Sequence, residues 1–280
     1  MRITTITVCY NEEKILPFFL DYYSSFCDEI IIFDGNSTDN TVSIIQSYAR
    51  TSKCNIELRI SNSPNSVNGY DEELLSKYLN FNYNLSLHYI RNNAWKNLFT
   101  KDINDWIIVV DVDEFMYHPD GLRNKLSEFK QNGITYPNVQ GFNMISDYFP
   151  SHIPGKFLFD EIKGGFWWKD QCKKVIFDSK HIQDINFLPG CHYSNPVGNL
   201  VSDNLLFQDQ IKSIHYRYLG YDFFKNQDAN KYKRLSNYDI QNRLAVHYKQ
   251  HSEMSLEEYN NRKLMSTYHT NVFVATQPSH

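Results

Sequence analysis

The stretch of sequence with the most evident chemistry is Asp111-Val112-Asp113-Glu114, which follows the apolar run Trp106-Ile107-Ile108-Val109-Val110. The run is short, β-branched and bounded by polar residues, as a buried strand is. If the strand continues through the acidic residues, alternation puts Asp111 and Asp113 on one side. Their mutual repulsion then favours a cation between them. A hard divalent ion with oxygen ligands meets that need and also accepts the phosphates of a nucleotide. A solvated acidic turn is the alternative, because Asp is frequent in turns.

The elements that must position these groups can be read from the apolar pattern. Ile3 to Cys9 alternates β-branched and polar residues and reads as a first strand, ending at Tyr10-Asn11-Glu12-Glu13. Asn11 is the expected cap of the next helix, with Glu12 and Glu13 in its first turn. Ile15, Phe18, Phe19, Tyr22 and Phe26 recur at helical spacing, and Pro17 falls early, where a helix tolerates it. Glu29 to Phe33 is a second strand, ending at Asp34-Gly35-Asn36-Ser37-Thr38-Asp39. Ser37 or Thr38 is the expected cap of a helix carrying Val42, Ile44, Ile45 and Tyr48, and Ile56 to Ile60 reads as a third strand. Successive strand-helix units describe a parallel sheet, whose ligands bind outside the carboxyl ends of the strands. Asn62 to Tyr70 reads as loop, Glu72 to Leu79 as a short helix, and Leu85 to Phe99 as a helix containing Arg91-Asn92-Asn93.

Beyond Tyr117 the texture changes. Leu122 to Phe129 reads as a short helix, and Val139 to Ile145, Val175 to Phe177 and Ile211 to Tyr218 as strands. Pro150 to Trp168, rich in Pro, Gly and aromatics, reads as an irregular loop suited to a sugar acceptor. Phe223 to Gln250 reads as mostly helical and basic, followed by a polar helix and tail.

The bulk properties exclude several classes. The formal net charge is −4, which argues against a nucleic-acid surface. No apolar stretch approaches the length of a membrane span, and no signal-peptide pattern opens the sequence. The expected location is therefore the cytoplasm, or the membrane periphery through a partner. The five cysteines form no CxxC pair, so neither a zinc site nor a disulfide framework is expected.

Taken together, Tyr-Asn-Glu-Glu after the first strand, Asp-Gly-Asn-Ser-Thr-Asp after the second, and Arg-Asn-Asn-Ala before an apolar strand ending in Asp-x-Asp resemble the family 2 glycosyltransferases of the GT-A fold. The resemblance runs from Ile3 to about Phe115. Pro-Gly-Cys-His (189 to 192), His-Tyr-Arg-Tyr-Leu-Gly (215 to 220) and Lys-Arg-Leu-Ser (233 to 236) are similar to a subgroup found in bacterial and viral glycan clusters. One departure is the single Asp34 where many members carry two adjacent aspartates. This leaves open whether Asp34 or Asp39 meets the base.

The resemblance implies an α/β fold of GT-A type, a Rossmann-like, mostly parallel sheet flanked by helices with a C-terminal acceptor-side extension. Residues 1–117 would form the nucleotide-sugar-binding half, 118–250 the acceptor-binding half of the same domain, and 251–280 a helix and tail. It implies inverting transfer of a sugar from a nucleotide-sugar donor, UDP-linked in the first instance, to a glycan or lipid-linked saccharide. By the same resemblance Asp113 ligates Mn²⁺ or Mg²⁺, and Asp111 helps hold the metal or contacts the ribose. His215 completes the shell, with His192 as second choice. Tyr10 and Glu12 would meet base and ribose, and Arg91 the diphosphate, while Lys233 and Arg234 are further phosphate candidates. A general base is drawn from Asp147, Asp160, Glu161 and Asp170, with Asp147 and Glu161 named as the catalytic pair. Two other classes stay open on the sequence: a non-catalytic nucleotide-sugar or glycan binder of this fold, and a haloacid-dehalogenase-like phosphatase. The phosphatase also ends a strand in Asp-x-Asp but normally carries Thr or Val where Phe115 stands.

Overall fold

Six consecutive residues of the second strand, Glu-Ile-Ile-Ile-Phe-Asp, are all buried, as expected of a strand covered on both faces. In the computed structural model, this strand, β2 (Glu29–Asp34), lies between β1 (Arg2–Cys9) and β3 (Asn55–Ile60), with β4 (Asp105–Val109) on the other side of β1. All three pairings are parallel. The structure describes residues 1–60, 89–96, 105–233, 247–265, 268–269 and 271–274, with positions 235, 240 and 243. The loop and helix expected over 62–79, much of the helix expected over 85–99, and Arg234 lie outside these residues.

The order β3-β2-β1-β4 places a topological switch point between β1 and β4, because the chain first builds outward from one side of β1 and later returns to the other. Tyr10 and Asp111 follow the two strands that border it. The register sets Cys9 beside Asp34, so the loops after β1 and β2 leave the sheet at one level. The edge beyond β4 is closed by an antiparallel strand, β8 (Ile176–Asp178).

Two helices cover this sheet. In α1 (Leu16–Ser24) Leu16, Phe18, Phe19, Leu20, Tyr22 and Tyr23 are buried, and Pro17 sits in the first turn. Asn11 does not cap this helix. It adopts φ 54° and instead accepts from Thr38 N (2.7 Å), joining the first two loops. Neither Ser37 nor Thr38 caps α2 (Thr41–Thr51); Asp39 Oδ1 accepts the Thr41 N–H at 2.9 Å.

The strand before the acidic residues stops at Val109. Glu114 N donates to Asp111 O at 3.0 Å, closing a turn, so alternation does not extend through Asp111 and Asp113. After this turn the chain enters a second five-stranded sheet, built from β5 (Glu114–Tyr117), β6 (Val139–Ser146), β7 (Gly165–Trp167), β11 (Ile211–Leu219) and β12 (Tyr268–His269), in the order β12-β7-β6-β11-β5. The acidic turn is thus the joint between the two sheets. Tyr23 OH donates to Glu114 O (2.9 Å) and Tyr22 OH to Met116 O (2.6 Å), fixing β5 to α1. Helix α3 (Leu122–Gln131) follows β5. Two short strands, β9 (Ile182–Asp184) and β10 (Val197–Gly198), form a ribbon. Helices α4 (Tyr221–Lys233), α5 (His247–Glu253) and α6 (Leu256–Met265) follow β11, and Phe224, Met254 and Tyr259 form a small core of their own. Among the described residues no helix is long and apolar enough to cross a membrane.

Candidate active site

The first two loops are stitched by side chains rather than left open. Asp34 is fully buried, and its carboxylate accepts from Ser37 N (2.8 Å) and Ser37 Oγ (2.6 Å). Ser37 Oγ in turn accepts the Asn11 N–H at 2.8 Å. Thr41 Oγ1 accepts from Glu12 N (2.8 Å), and Asp39 Oδ2 from Glu13 N (3.2 Å). Asp34 and Asp39 therefore shape the loops through the backbone. Tyr10 and Glu12 stand half-buried beside them, and Glu12 Oε2 accepts from Gln227 Nε2 on α4 at 3.1 Å.

At the acidic turn each carboxylate has a different partner. Asp111 forms an ion pair with Arg91, whose segment is docked by Asn92: Asn92 Oδ1 accepts from Phe187 N at 2.7 Å and Asn92 Nδ2 donates to Phe187 O at 3.2 Å. Burial works to raise the Asp111 carboxyl, but Arg91 and then Lys173 outweigh it and hold the group below its ordinary range. Glu114 is the first residue of β5. It is 2% exposed and pairs with Lys173 Nζ, itself 4% exposed, at 2.5 Å. Its Oε2 accepts the Asp111 N–H at 3.2 Å.

Asp113 faces the second sheet. Its Oδ2 lies 3.3 Å from His215 Nε2, and its carbonyl accepts the Tyr216 N–H at 2.8 Å. Antiparallel pairing of β11 with β5 sets His215 opposite Glu114, which brings the imidazole to the turn. Burial would raise the Asp113 carboxyl, yet His215, Lys231 and Arg217 together keep it well below the usual carboxylate range. Lys231 comes from α4, the helix that also sends Gln227 to Glu12. Burial pushes its ammonium pKa down, but Asp113, with Tyr248 and Glu12, outweighs this for a net upward shift. Arg217 and His251 Nδ1 both bond Asp228 Oδ2, at 2.6 and 2.7 Å, which ties β11, α4 and α5 together behind this corner.

Asp113 and His215 offer one carboxylate oxygen and one imidazole nitrogen to a common point. That donor set suits a first-row divalent ion such as Mn²⁺, with Mg²⁺ less matched to the nitrogen. No group of three or more His, Cys, Asp and Glu side chains converges among the described residues. The pair fits a cation in this sense, while Asp111 is engaged by Arg91.

The remaining candidates lie elsewhere. His192 Nδ1 turns to the Asp170 carbonyl at 2.7 Å rather than to the turn. Asp160 Oδ2 accepts the Phe157 N–H at 2.8 Å. Asp147, just past β6, is exposed and pairs with Lys263. Glu161 accepts from Tyr148 OH at 2.7 Å. With Phe18, Ile153, Lys156 and Phe157 it lines a cavity of about 340 Å³ to which no residue of the acidic turn contributes. Sequence reasoning missed Lys173, Lys231 and Gln227, and also Asn143 and Gln171, the latter on the short turn Lys169–Gln171, whose amides lie 2.8 and 2.7 Å from His215 Nδ1; all are distant in sequence from the acidic turn. Only Asn143 had a readable signal, as an amide set between the apolar Phe142 and Met144 in a strand.

A family model described as Glycosyl transferase family 2 matches residues 4–182, more than half of the chain. A search of curated proteins finds no match. Among solved structures, S. aureus TarS is 15% identical, with 95% of this chain and 44% of that chain covered and a TM-score of 0.37. S. aureus TarS 1-349 in complex with UDP is 12% identical, covering 95% and 76%, at a TM-score of 0.36. Mouse xyloside xylosyltransferase 1, apo form, is 11% identical, covering 50% and 51%, at a TM-score of 0.29. The chain thus spans less than half of the first of these, and none of the three likenesses bears on substrate.

Proposed function

Because the chain belongs to glycosyl transferase family 2, we propose that it moves a sugar from a nucleotide-sugar donor, UDP-linked in the first instance, to a hydroxyl of a glycan or lipid-linked saccharide with inversion. The observation that carries this reading is the meeting of Asp113 Oδ2 and His215 Nε2, 3.3 Å apart, at the joint of the two sheets and beside the switch point. Nucleotide-sized ligands bind at such points in open α/β sheets. Family membership removes the phosphatase alternative.

In this reading Tyr10, Glu12 and the loop shaped by Asp34 and Asp39 take base and ribose. Asp113 and His215 hold Mn²⁺ or Mg²⁺, with Asp111 oriented by Arg91 toward ribose or metal. The ion, when bound, neutralises charge developing on the departing diphosphate. Arg91 and Lys231 add fixed positive charge at the same corner, which needs no rearrangement as the bond breaks. Asp147 follows the strand paired with β11 and is the first choice to take the acceptor proton; Glu161 is the second. The proposed location is the cytoplasm or the membrane periphery.

The test is nucleotide release from UDP-sugars, with and without Mn²⁺, in the presence of saccharide acceptors. Metal-stimulated release that Asp113→Asn abolishes supports the reading. Binding of UDP without any release, across donors and acceptors, favours the non-catalytic binder of the same fold.

A further inference from the structure

The face of the second sheet that carries His215 also carries a run of aromatic rings. Asn143 of β6 stands beside His215 of β11, and Phe166 of β7 stands opposite Asn143, so the three side chains leave the sheet on one side. Trp168 follows two residues after Phe166. Its N–H bonds the Gly141 carbonyl at 2.9 Å, which continues the ladder and returns the indole to the same side. The Phe166 and Trp168 rings meet edge to face with centroids 6.2 Å apart. Strand β7 is separated from β11 by β6 alone, about 10 Å across the sheet. Exposure separates the two rings: Phe166 is 9% exposed and belongs to the packing, whereas Trp168 is 49% exposed.

After Trp168 the chain turns toward His215. Gln171 N donates to Trp168 O at 2.9 Å, and Gln171 Nε2 lies 2.7 Å from His215 Nδ1. The turn Lys169–Gln171 therefore bridges the indole and the imidazole. It fits because β6 has a glycine beneath it; a Cβ at Gly141 would stand 2.1 Å from the Gln171 carbonyl carbon. A second segment closes over the turn. His192 Nδ1 lies 2.7 Å from Asp170 O, and Tyr193 Oη lies 3.5 Å from Asp170 Oδ1. Gly190, at φ 77°, turns this segment back, and a Cβ on it would meet the His192 ring at 2.7 Å. Tyr193 is 60% exposed. The Asp170 carboxylate thus stands between two open aromatic side chains, beside the His215 corner.

Open Trp and Tyr rings offer broad apolar contact at little cost in side-chain entropy. The C–H face of a pyranose is apolar and its edge is lined with hydroxyls, so it matches ring faces set next to a carboxylate that accepts hydrogen bonds. We propose that Trp168 and Tyr193 form a platform for the acceptor saccharide, with Asp170 accepting from one of its hydroxyls. Only the identification of this saccharide as the acceptor depends on the proposed function; saccharide binding by the platform can be read without it.

The test is saturation-transfer difference NMR on the purified 280-residue chain, with and without UDP and Mn²⁺. The probes are methyl glycosides of glucose, galactose, mannose and N-acetylglucosamine. At least one should receive saturation from wild type, most strongly at the C–H protons of one ring face. Trp168→Ala should weaken binding of that glycoside at least about 10-fold, and Tyr193→Ala and Asp170→Ala about 3- to 10-fold. Trp168 and Tyr193 are exposed, so their alanine variants should melt like wild type and lost binding reads the platform rather than the fold. No saturation transfer to any of the glycosides in wild type, or a Trp168→Ala variant that binds as wild type does, overturns the inference. Saccharide binding that depends on Trp168 in a protein without Mn²⁺-dependent UDP binding would uphold the platform and count against the proposed function.

Discussion

Replacing Lys173 by Met should destabilise the protein strongly, although lysine is ordinarily a surface residue. Lys173 and Glu114 are 4% and 2% exposed and stand 2.5 Å apart, so neither charge is solvated by water. The variant leaves the Glu114 carboxylate buried without its counter-charge, which costs about 3–5 kcal/mol. For a chain of this size that corresponds to a fall in Tm of about 6–20 °C. The companion variant Glu114→Gln/Lys173→Met removes both charges and keeps an acceptor for the Asp111 N–H. It should recover at least about 2 kcal/mol of the loss, although more of the native chemistry has been deleted. Urea unfolding followed by circular dichroism at pH 7, run as a double-mutant cycle, measures all three terms. Burial lowers the Lys173 ammonium pKa, but Glu114 and Asp111 raise it further, for a net upward shift. The stabilisation is therefore fully present below the unfolded pKa of about 10.4 and is lost as pH rises through the folded value. A single-variant cost under about 1 kcal/mol, or a double variant less stable than Lys173→Met, would refute the assignment of a buried, charge-paired support beneath the turn.

Two further predictions concern other parts of the fold. Lys212 is 1% exposed and donates to the carbonyls of Val272 and Phe273, each at 2.9 Å, with burial pushing its pKa down to about 8. The unfolded chain then holds the proton more tightly, so wild type should gain stability relative to Lys212→Met as pH rises from 7 to 10, by at most about 3 kcal/mol; parallel urea curves for the pair across that range would contradict this. Gly141→Ala drives a Cβ to 2.1 Å from the Gln171 carbonyl carbon, a backbone atom that cannot rotate aside. It should cost about 1–3 kcal/mol and weaken Mn²⁺ binding alongside stability, whereas a melting temperature equal to wild type would mean the turn moves away freely.

The first sheet was legible because its determinants are local. Strands buried on both faces read as β-branched runs, and each strand end carries its polar loop a few residues later, so the sequence alone sets Tyr10, Asp34 and Asp111 in order at the ends of β1, β2 and β4. Alternation misled at Asp111–Asp113, since one hydrogen bond from Glu114 N to Asp111 O converts the strand end into a turn. Asn11 looked like a helix cap from its neighbours, and only its positive φ and its bond to Thr38 show it to be a joint between loops. Lys173 and Lys231 carry no local signal at all. The burial of Lys173 and the half-buried place of Lys231 come from pairing and packing across long separations in sequence, and in the sequence each resembles a solvated surface lysine. His215 was identifiable by resemblance, but the amides that hold it depend on the β6–β11 register and on the space left by Gly141.

In the proposed function Asp113 and His215 form the cation and diphosphate corner of a nucleotide-sugar site. Calorimetric titration of UDP into wild type, Asp113→Asn and Asp147→Asn, each with and without Mn²⁺, tests it most directly. Mn²⁺ should tighten UDP binding at least about 10-fold in wild type and Asp147→Asn, and Asp113→Asn should lose this enhancement. UDP affinity that is indifferent to Mn²⁺ in wild type, or enhanced equally in Asp113→Asn, would contradict it.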